Sequence, residues 1–131
     1  RFFNVYGPRL STSGQYSAVM GNFLSQTKSK KALTIVGDGK QTRDFIHVDD
    51  LANAFIKVIK SKLVNKIYNL GSGKSTSINT VAKIFRGKRK HIAIRPGEPR
   101  TSLAKITKLK KDINWKPKIS IQLGIKKLLS G

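Results

Sequence analysis

Cysteine is absent from the 131 residues, and histidine occurs only twice. No disulfide framework can form, and a metal site built on thiolate and imidazole has almost nothing to draw on. A cysteine-free chain accords with a cytoplasmic location. No apolar run is long enough to cross a bilayer, and no signal peptide, low-complexity tract or internal repeat stands out. Acidic residues are scarce, with six Asp and Glu against 27 Lys and Arg, a formal net charge of +21. At this length the chain suits one domain, residues 1–131, with a modest core.

The charge excess raises a free-standing polyanion-binding module as one reading. Lys83, Arg86, Lys88, Arg89 and Lys90 form one cluster, and Lys105, Lys108, Lys110 and Lys111 another. The second has the spacing of a solvated helix face, with Leu103, Ile106, Leu109 and Ile113 opposite. The tail repeats this, with Ile121, Ile125, Leu128 and Leu129 against Lys126 and Lys127. Few aromatics interleave with the bases, so nucleic acid is not the expected partner, although weak attraction to polyanions is.

Three blocks carry more specific chemistry. Arg1-Phe2-Phe3-Asn4-Val5-Tyr6-Gly7-Pro8-Arg9 reads as a buried strand running into a loop, with the Asn4 amide at its lip. In an open α/β sheet, ligands sit past the carboxyl ends of strands, and a side-chain amide there can donate and accept. In the second block, Gly37-Asp38-Gly39 marks a turn between two short apolar runs. Asp49 or Asp50 is expected to cap a helix carrying Leu51, Ala52, Phe55, Ile56 and Ile59. Arg43 lies between turn and run, and its planar fork suits a phosphate. The alternative partner for Arg43 is Asp44 or Asp38. A metal site on His47 and the two Asp residues is set aside in favour of capping.

The third block, Arg95-Pro96-Gly97-Glu98-Pro99-Arg100, is too rich in Pro and Gly for regular structure. It is a shaped loop with a guanidinium and a carboxylate three apart, able to grip a phosphate and ribose hydroxyls respectively. The alternative is a weak surface ion pair. Gly71-Ser72-Gly73-Lys74-Ser75-Thr76 imitates a P-loop, but Tyr68 stands where the first Gly is needed. A turn with Ser or Thr capping the next helix is expected instead.

Together the blocks resemble the extended short-chain dehydrogenase/reductases, the NAD-dependent nucleotide-sugar epimerases and dehydratases of the UDP-glucose 4-epimerase type. Their R-x-F-N-V-Y-G-P-R segment, G-D-G-x-x-x-R-D-[FY]-I-H-V-x-D run, R-x-G-[DE] loop and L-G-W-x-P tail all have counterparts here in order. Thr107 stands for the family's Asp and Asn114 for its Gly before Trp115; Asn also tolerates a left-handed helix end. Trp115 is expected to be a packing anchor. The resemblance implies an α/β fold, helices with short strands, forming the C-terminal substrate-binding part of an extended Rossmann-type enzyme. It implies substrate contacts from Asn4, Arg43, Arg95 and Glu98, and from Val19 and its neighbours through backbone to the base. Phe3 is placed on the cofactor side. Phe45 replaces a Tyr common in relatives, removing one hydroxyl contact to the nucleotide.

The same resemblance implies NAD, bound mainly by an N-terminal half that these residues lack. Neither the glycine fingerprint nor a Tyr-x-x-x-Lys pair is present; Tyr6, Tyr16 and Tyr68 have no Lys four residues on. No catalytic residue is therefore assigned, and the chain alone is expected to be inactive toward its substrate, a nucleotide-sugar such as a UDP-sugar. Apolar faces of the first strand and of the Leu51–Ile59 helix are expected to be uncovered, favouring self-association. Expected elements are a helix over 14–28, strands over 33–36 and 44–48, a helix over 50–61, a strand over 66–70, a helix over 77–86, and two short helices in the tail.

Overall fold

A computed structural model describes residues 1–12 and 18–131. In chain order its elements are β1 (Val5–Tyr6), α1 (Val19–Lys28), β2 (Leu33–Val36), β3 (Thr42–Arg43), β4 (Ile46–His47), α2 (Val48–Ile59), β5 (Thr76–Ser77), α3 (Ile78–Phe85), β6 (Arg89–Ile92), α4 (Thr107–Ile113) and α5 (Ile121–Ser130). The strands pair in twos: β1 with β4 and β2 with β6 in parallel, β3 with β5 antiparallel. The fold is α/β, with short strands among helices. Among the described residues no helix is long and apolar enough to cross a membrane.

Two clusters of buried side chains hold these elements. One gathers Tyr6, Phe23, Leu33, Ile35, Phe85 and Ile125 with their neighbours from α1, β2, α3 and α5. The other gathers Ile46, Ala54, Leu70, Leu109 and Trp115 around α2 and α4. One fully buried large apolar side chain contributes roughly 1.5–3 kcal/mol, against roughly 0.5–1.5 kcal/mol net for a hydrogen bond. The clusters therefore outweigh the two- and four-residue ladders. Helix α3 illustrates the local logic: Ile78, Val81, Ala82 and Phe85 form one buried stripe, and Ser77 caps the first turn by accepting from the Thr80 N–H at 3.1 Å. The helix stops at Arg86, which is left-handed at φ 59°.

Several expectations need correction. Helix α1 is described from Val19; Gly14–Ser17 of the expected helix lie outside the described residues. Helix α2 begins at Val48, and its cap is His47, whose Nδ1 accepts from the Asp49 N–H at 3.2 Å. Asp49 and Asp50 sit inside the first turn, where carboxylates suit the helix dipole. Asp50 is buried and accepts from the amides of Lys118 and Ile119, both at 2.9 Å, tying the tail to α2. The expected strand over 44–48 shrinks to β4, since residues 44 and 45 are irregular and Val48 already opens α2. The strand over 66–70 shrinks to one bridge, Leu70 with Phe2. Pairing there rests on two bonds, Phe3 N–H to the Leu70 carbonyl and Leu70 N–H to the Arg1 carbonyl, and Ile67 is exposed. Leu103 precedes α4 and is 54% exposed, so only Ile106 and Leu109 are buried from that expected face. Leu129 is 40% exposed. Strand β6 was not expected, since Arg89–Ile92 is exposed throughout and shows no apolar alternation.

Two expectations are met closely. Asn114 ends α4 in the left-handed conformation (φ 45°, ψ 53°), and Trp115 is 3% exposed inside the second cluster.

Candidate functional site

Asp44 organises the region. Its carboxylate is fully buried, and Oδ1 accepts from the Ser72 N–H and Oγ, both at 2.6 Å. Oδ2 accepts from the amides of Gly73 at 2.8 Å and Ala104 at 3.1 Å. Ser72 Oγ also receives the Lys74 N–H at 3.2 Å. The glycine loop's donors are thus turned onto an internal carboxylate, and the P-loop likeness is one of sequence only. Gly71 is required here, because a Cβ would lie 2.8 Å from Asp44 Oδ2 and 2.5 Å from Ala104 Cβ.

This arrangement fixes the residues around Asp44. The Asn4 amide donates from Nδ2 to the Asp44 carbonyl at 3.0 Å, which leaves Oδ1 and the second N–H available. Arg43 donates from Nη1 to the carbonyls of Thr42 at 2.9 Å and Pro99 at 2.7 Å, and from Nη2 to Glu98 Oε1 at 2.9 Å. Its side chain is 13% exposed, so the guanidinium is held in place with two of its five N–H groups uncommitted by these bonds. The ion-pair partner is Glu98 rather than Asp44 or Asp38. Asp38 instead pairs with Arg100 through two bonds, at 2.8 and 2.7 Å, and this contact holds the Asp38 carboxyl well below the usual range. Arg95 has no ion pair among the described residues.

Asn4, Val19, Arg43, Arg95 and Glu98 all line one cavity of about 380 Å³. They come from the residue before β1, the start of α1, β3 and the 95–98 loop, so the cavity joins the sequence blocks in space. Phe3 is not on its wall and packs half-buried against the second core cluster.

The sequence reading missed one wall, formed by Gln26, Thr34, Val36 and Gln41. Strand β2 pairs with β6 through residues 33 and 35, with Leu33 N–H reaching the Lys88 carbonyl at 2.7 Å and Gly37 N–H the Ile92 carbonyl at 2.9 Å. Residues 34 and 36 therefore direct their backbone groups to the other edge. Gln26 and Gln41 clasp that edge: Gln26 Oε1 accepts from the Thr34 N–H at 3.0 Å, and Gln41 Nε2 donates to the Val36 carbonyl at 2.8 Å. Between the two glutamines, the Thr34 carbonyl and the Val36 N–H have no partner among the described residues and stand as an acceptor and a donor along the cavity edge. Two glutamines flanking an alternating strand were the available signal.

His47 is fully buried and beside the Tyr6 ring, at 5.3 Å between centroids. Burial lowers its pKa, and among the described residues no group of three or more His, Cys, Asp or Glu could hold a metal. Burial also raises the Tyr6 hydroxyl to about 12, with Asp50 adding to the effect.

Residues 1–71 match the NAD dependent epimerase/dehydratase family. The chain is 35% identical over 137 residues to the UDP-glucuronate 4-epimerase of Thermodesulfobacterium geofontis, covering 99% of this chain and 41% of that protein. It resembles the crystal structure of UDP-glucose 4-epimerase with UDP-glucose from Thermotoga maritima, with a TM-score of 0.92 at 30% identity, covering 99% of this chain and 43% of that one. It also resembles the UDP-glucuronic acid 4-epimerase of Bacillus cereus in complex with UDP-glucuronic acid and NAD, with a TM-score of 0.87 at 27% identity and the same coverage. The chain spans well under half the length of the curated relatives it matches.

Proposed function

Since this chain belongs to the NAD dependent epimerase/dehydratase family, we propose that it forms the nucleotide-diphosphate-binding face of a nucleotide-sugar epimerase or dehydratase. The observation that carries the reading is the convergence of Asn4, Val19, Arg43, Arg95 and Glu98 on one cavity. Arg43 and Arg95 supply charge and directed N–H groups to a diphosphate, for which a guanidinium fork is well shaped. Glu98 holds Arg43 through Oε1 and keeps Oε2 for ribose hydroxyls. Asn4 contributes a positioned amide. The acceptor and donor left on the β2 edge suit a base that offers a neighbouring N–H and C=O, and a UDP-sugar is the proposed substrate class.

NAD belongs to the family's chemistry, as oxidant and reductant of the sugar. The glycine loop over 71–76 does not build a cradle for its pyrophosphate, because its Ser72 and Gly73 amides are held by Asp44. Phe3 offers at most a partly exposed ring toward a cofactor held by other residues. With no Tyr-x-x-x-Lys pair in the sequence, we assign binding and not catalysis to these 131 residues.

Self-association is part of the same proposal. Phe55, Ile56 and Ile59 of α2 are 44%, 50% and 78% exposed, and Phe2 stacks edge-on against Phe55 at 5.6 Å. An apolar face of this kind favours burial against another surface.

Calorimetric titration with UDP tests the binding reading. Saturable binding that weakens at least about tenfold, or about 1.4 kcal/mol, in Arg43→Ala and Arg95→Ala supports it. Salt-sensitive binding to DNA that exceeds any affinity for UDP would favour the basic-module alternative. Turnover of UDP-glucose with NAD by the isolated chain would overturn the assignment of binding alone. Light scattering from a monodisperse monomer would remove the self-association.

A further inference from the structure

The loop over 95–100 brings Arg95 and Glu98 to the substrate cavity, yet every one of its residues is exposed. A Cβ on Gly97 would meet nothing within 4 Å, so the tip of the loop has no packing to fix it. The side-chain bonds that tie the loop down form two groups. Arg43 bonds the Glu98 carboxylate and the Pro99 carbonyl from the cavity wall. Arg100 bonds Asp38 away from that wall, where neither residue is found. Its Nη1 donates to Oδ1 at 2.8 Å and its Nη2 to Oδ2 at 2.7 Å, a two-bond fork.

Asp38 stands on a fixed turn. Its Oδ1 also accepts the Lys40 N–H at 2.9 Å, and its carbonyl accepts from Asn79 Nδ2 at 2.9 Å. The Gly39 carbonyl accepts the Asn79 N–H at 3.0 Å, and the Gly37 N–H reaches the Ile92 carbonyl at 2.9 Å. The turn is therefore bound to α3 on one side and to β6 on the other. A loop tied to Asp38 is tied, through α3, to the first buried cluster.

Resting on the nucleotide reading above, we infer that Asp38 and Arg100 are positioning residues, which clasp the 95–100 loop so that Arg95 and Glu98 face the diphosphate and ribose. Neither touches the ligand. The two groups of bonds differ in what a ligand does to them. A diphosphate that draws on the Arg43 guanidinium competes with Glu98 and Pro99 for it. The Asp38 clasp meets no such competition, because it lies off the cavity wall. The pair is exposed, at 57% for Arg100 and 45% for Asp38, and an exposed pair counts chiefly when its geometry is a two-bond fork such as this.

Amide hydrogen exchange and UDP calorimetry on the whole chain test the clasp. Asp38→Asn keeps an acceptor for the Lys40 N–H, and so the turn, but removes the charge. In the ligand-free chain it should speed exchange at Thr42 and Ser102, whose amides bond the Arg100 and Thr42 carbonyls, and leave Val81 to Phe85 unchanged. UDP affinity should fall about threefold, the scale of an exposed pair, in Asp38→Asn and Arg100→Gln alike. The double variant should lose no more than either single one, since the two side chains act as a unit. The loss should vanish when Asp38→Asn is added to Arg95→Ala, Glu98→Gln, because the loop then presents neither charge; a merely structural Asp38 would still show it. Unchanged exchange at Thr42 and Ser102, an undiminished UDP affinity, or a loss that persists without Arg95 and Glu98 would each overturn the clasp. A wild-type chain that does not bind UDP would overturn the nucleotide reading and the positioning role with it, and the exchange rates distinguish that failure from the absence of a clasp.

Discussion

Asp44→Asn turns one oxygen into an NH2 group inside a pocket made of donors. In the native chain Oδ1 receives two donors from Ser72, and Oδ2 receives the amides of Gly73 and Ala104. Whichever way an asparagine amide is placed, one of these pairs faces hydrogen instead of a lone pair. In the better orientation Nδ2 faces Ser72, whose hydroxyl can accept from it and donate to the Lys74 carbonyl, so one amide bond to a charged group is lost, at a cost of about 1.5–3 kcal/mol. A typical domain has only about 5–15 kcal/mol of net stability, so the variant should be measurably destabilised. Urea unfolding followed by far-UV circular dichroism measures this, with the midpoint falling and the slope unchanged. Because Asn4 donates to the Asp44 carbonyl and Arg43 precedes it, UDP binding should weaken together with stability. A loss below about 1 kcal/mol would refute the idea that this carboxylate joins the three loops.

Other expectations follow from single contacts. His47 has its pKa lowered by burial, so the unfolded chain takes up the proton first. Stability should be full above about pH 6.5 and fall as pH drops below it; His47→Asn, which keeps a cap acceptor but does not titrate, should flatten that slope in urea midpoints at pH 7.5 and 5.5. Gly124→Ala within α5 would ordinarily stabilise by about 0.5–1 kcal/mol, but here the new Cβ falls on the Tyr6 hydroxyl and ring. The variant should melt lower than wild type, and adding Tyr6→Phe should recover part of the loss; a raised melting temperature in the single variant would contradict the packing. Arg43→Lys cannot hold Thr42, Pro99 and Glu98 while also reaching a phosphate, so UDP affinity by calorimetry should fall about tenfold, close to 1.4 kcal/mol.

The elements most legible in the sequence were those with strong local signals. Helix α3 was expected over 77–86 behind a Ser or Thr cap and runs from Ile78 to Phe85 behind Ser77, and Asn114 was legible by its tolerance of a left-handed end. The five residues proposed to meet substrate were picked out by motif resemblance, and one cavity brings them together although they are up to 94 positions apart, from Asn4 to Glu98. What was not legible depended on distant partners. Asp50 looked like a cap but turns to Lys118 and Ile119, 68 and 69 residues away. Asp44 looked like a neighbour for Arg43, yet its donors come from residues 72, 73 and 104. Strand β6 has no apolar alternation because its residues are exposed, and only its register with β2 marks it as a strand. Polar side chains that bond across the fold leave no periodic trace, which is why the Gln26 and Gln41 clasp was also missed.

Backbone amide chemical-shift mapping during titration with UDP addresses the proposed site most directly. The expected result is a saturable set of shifts confined to residues around Asn4, Val19, Thr34 to Val36, Arg43 and Arg95 to Glu98. Shifts concentrated elsewhere on the chain, or none at millimolar UDP, would contradict it.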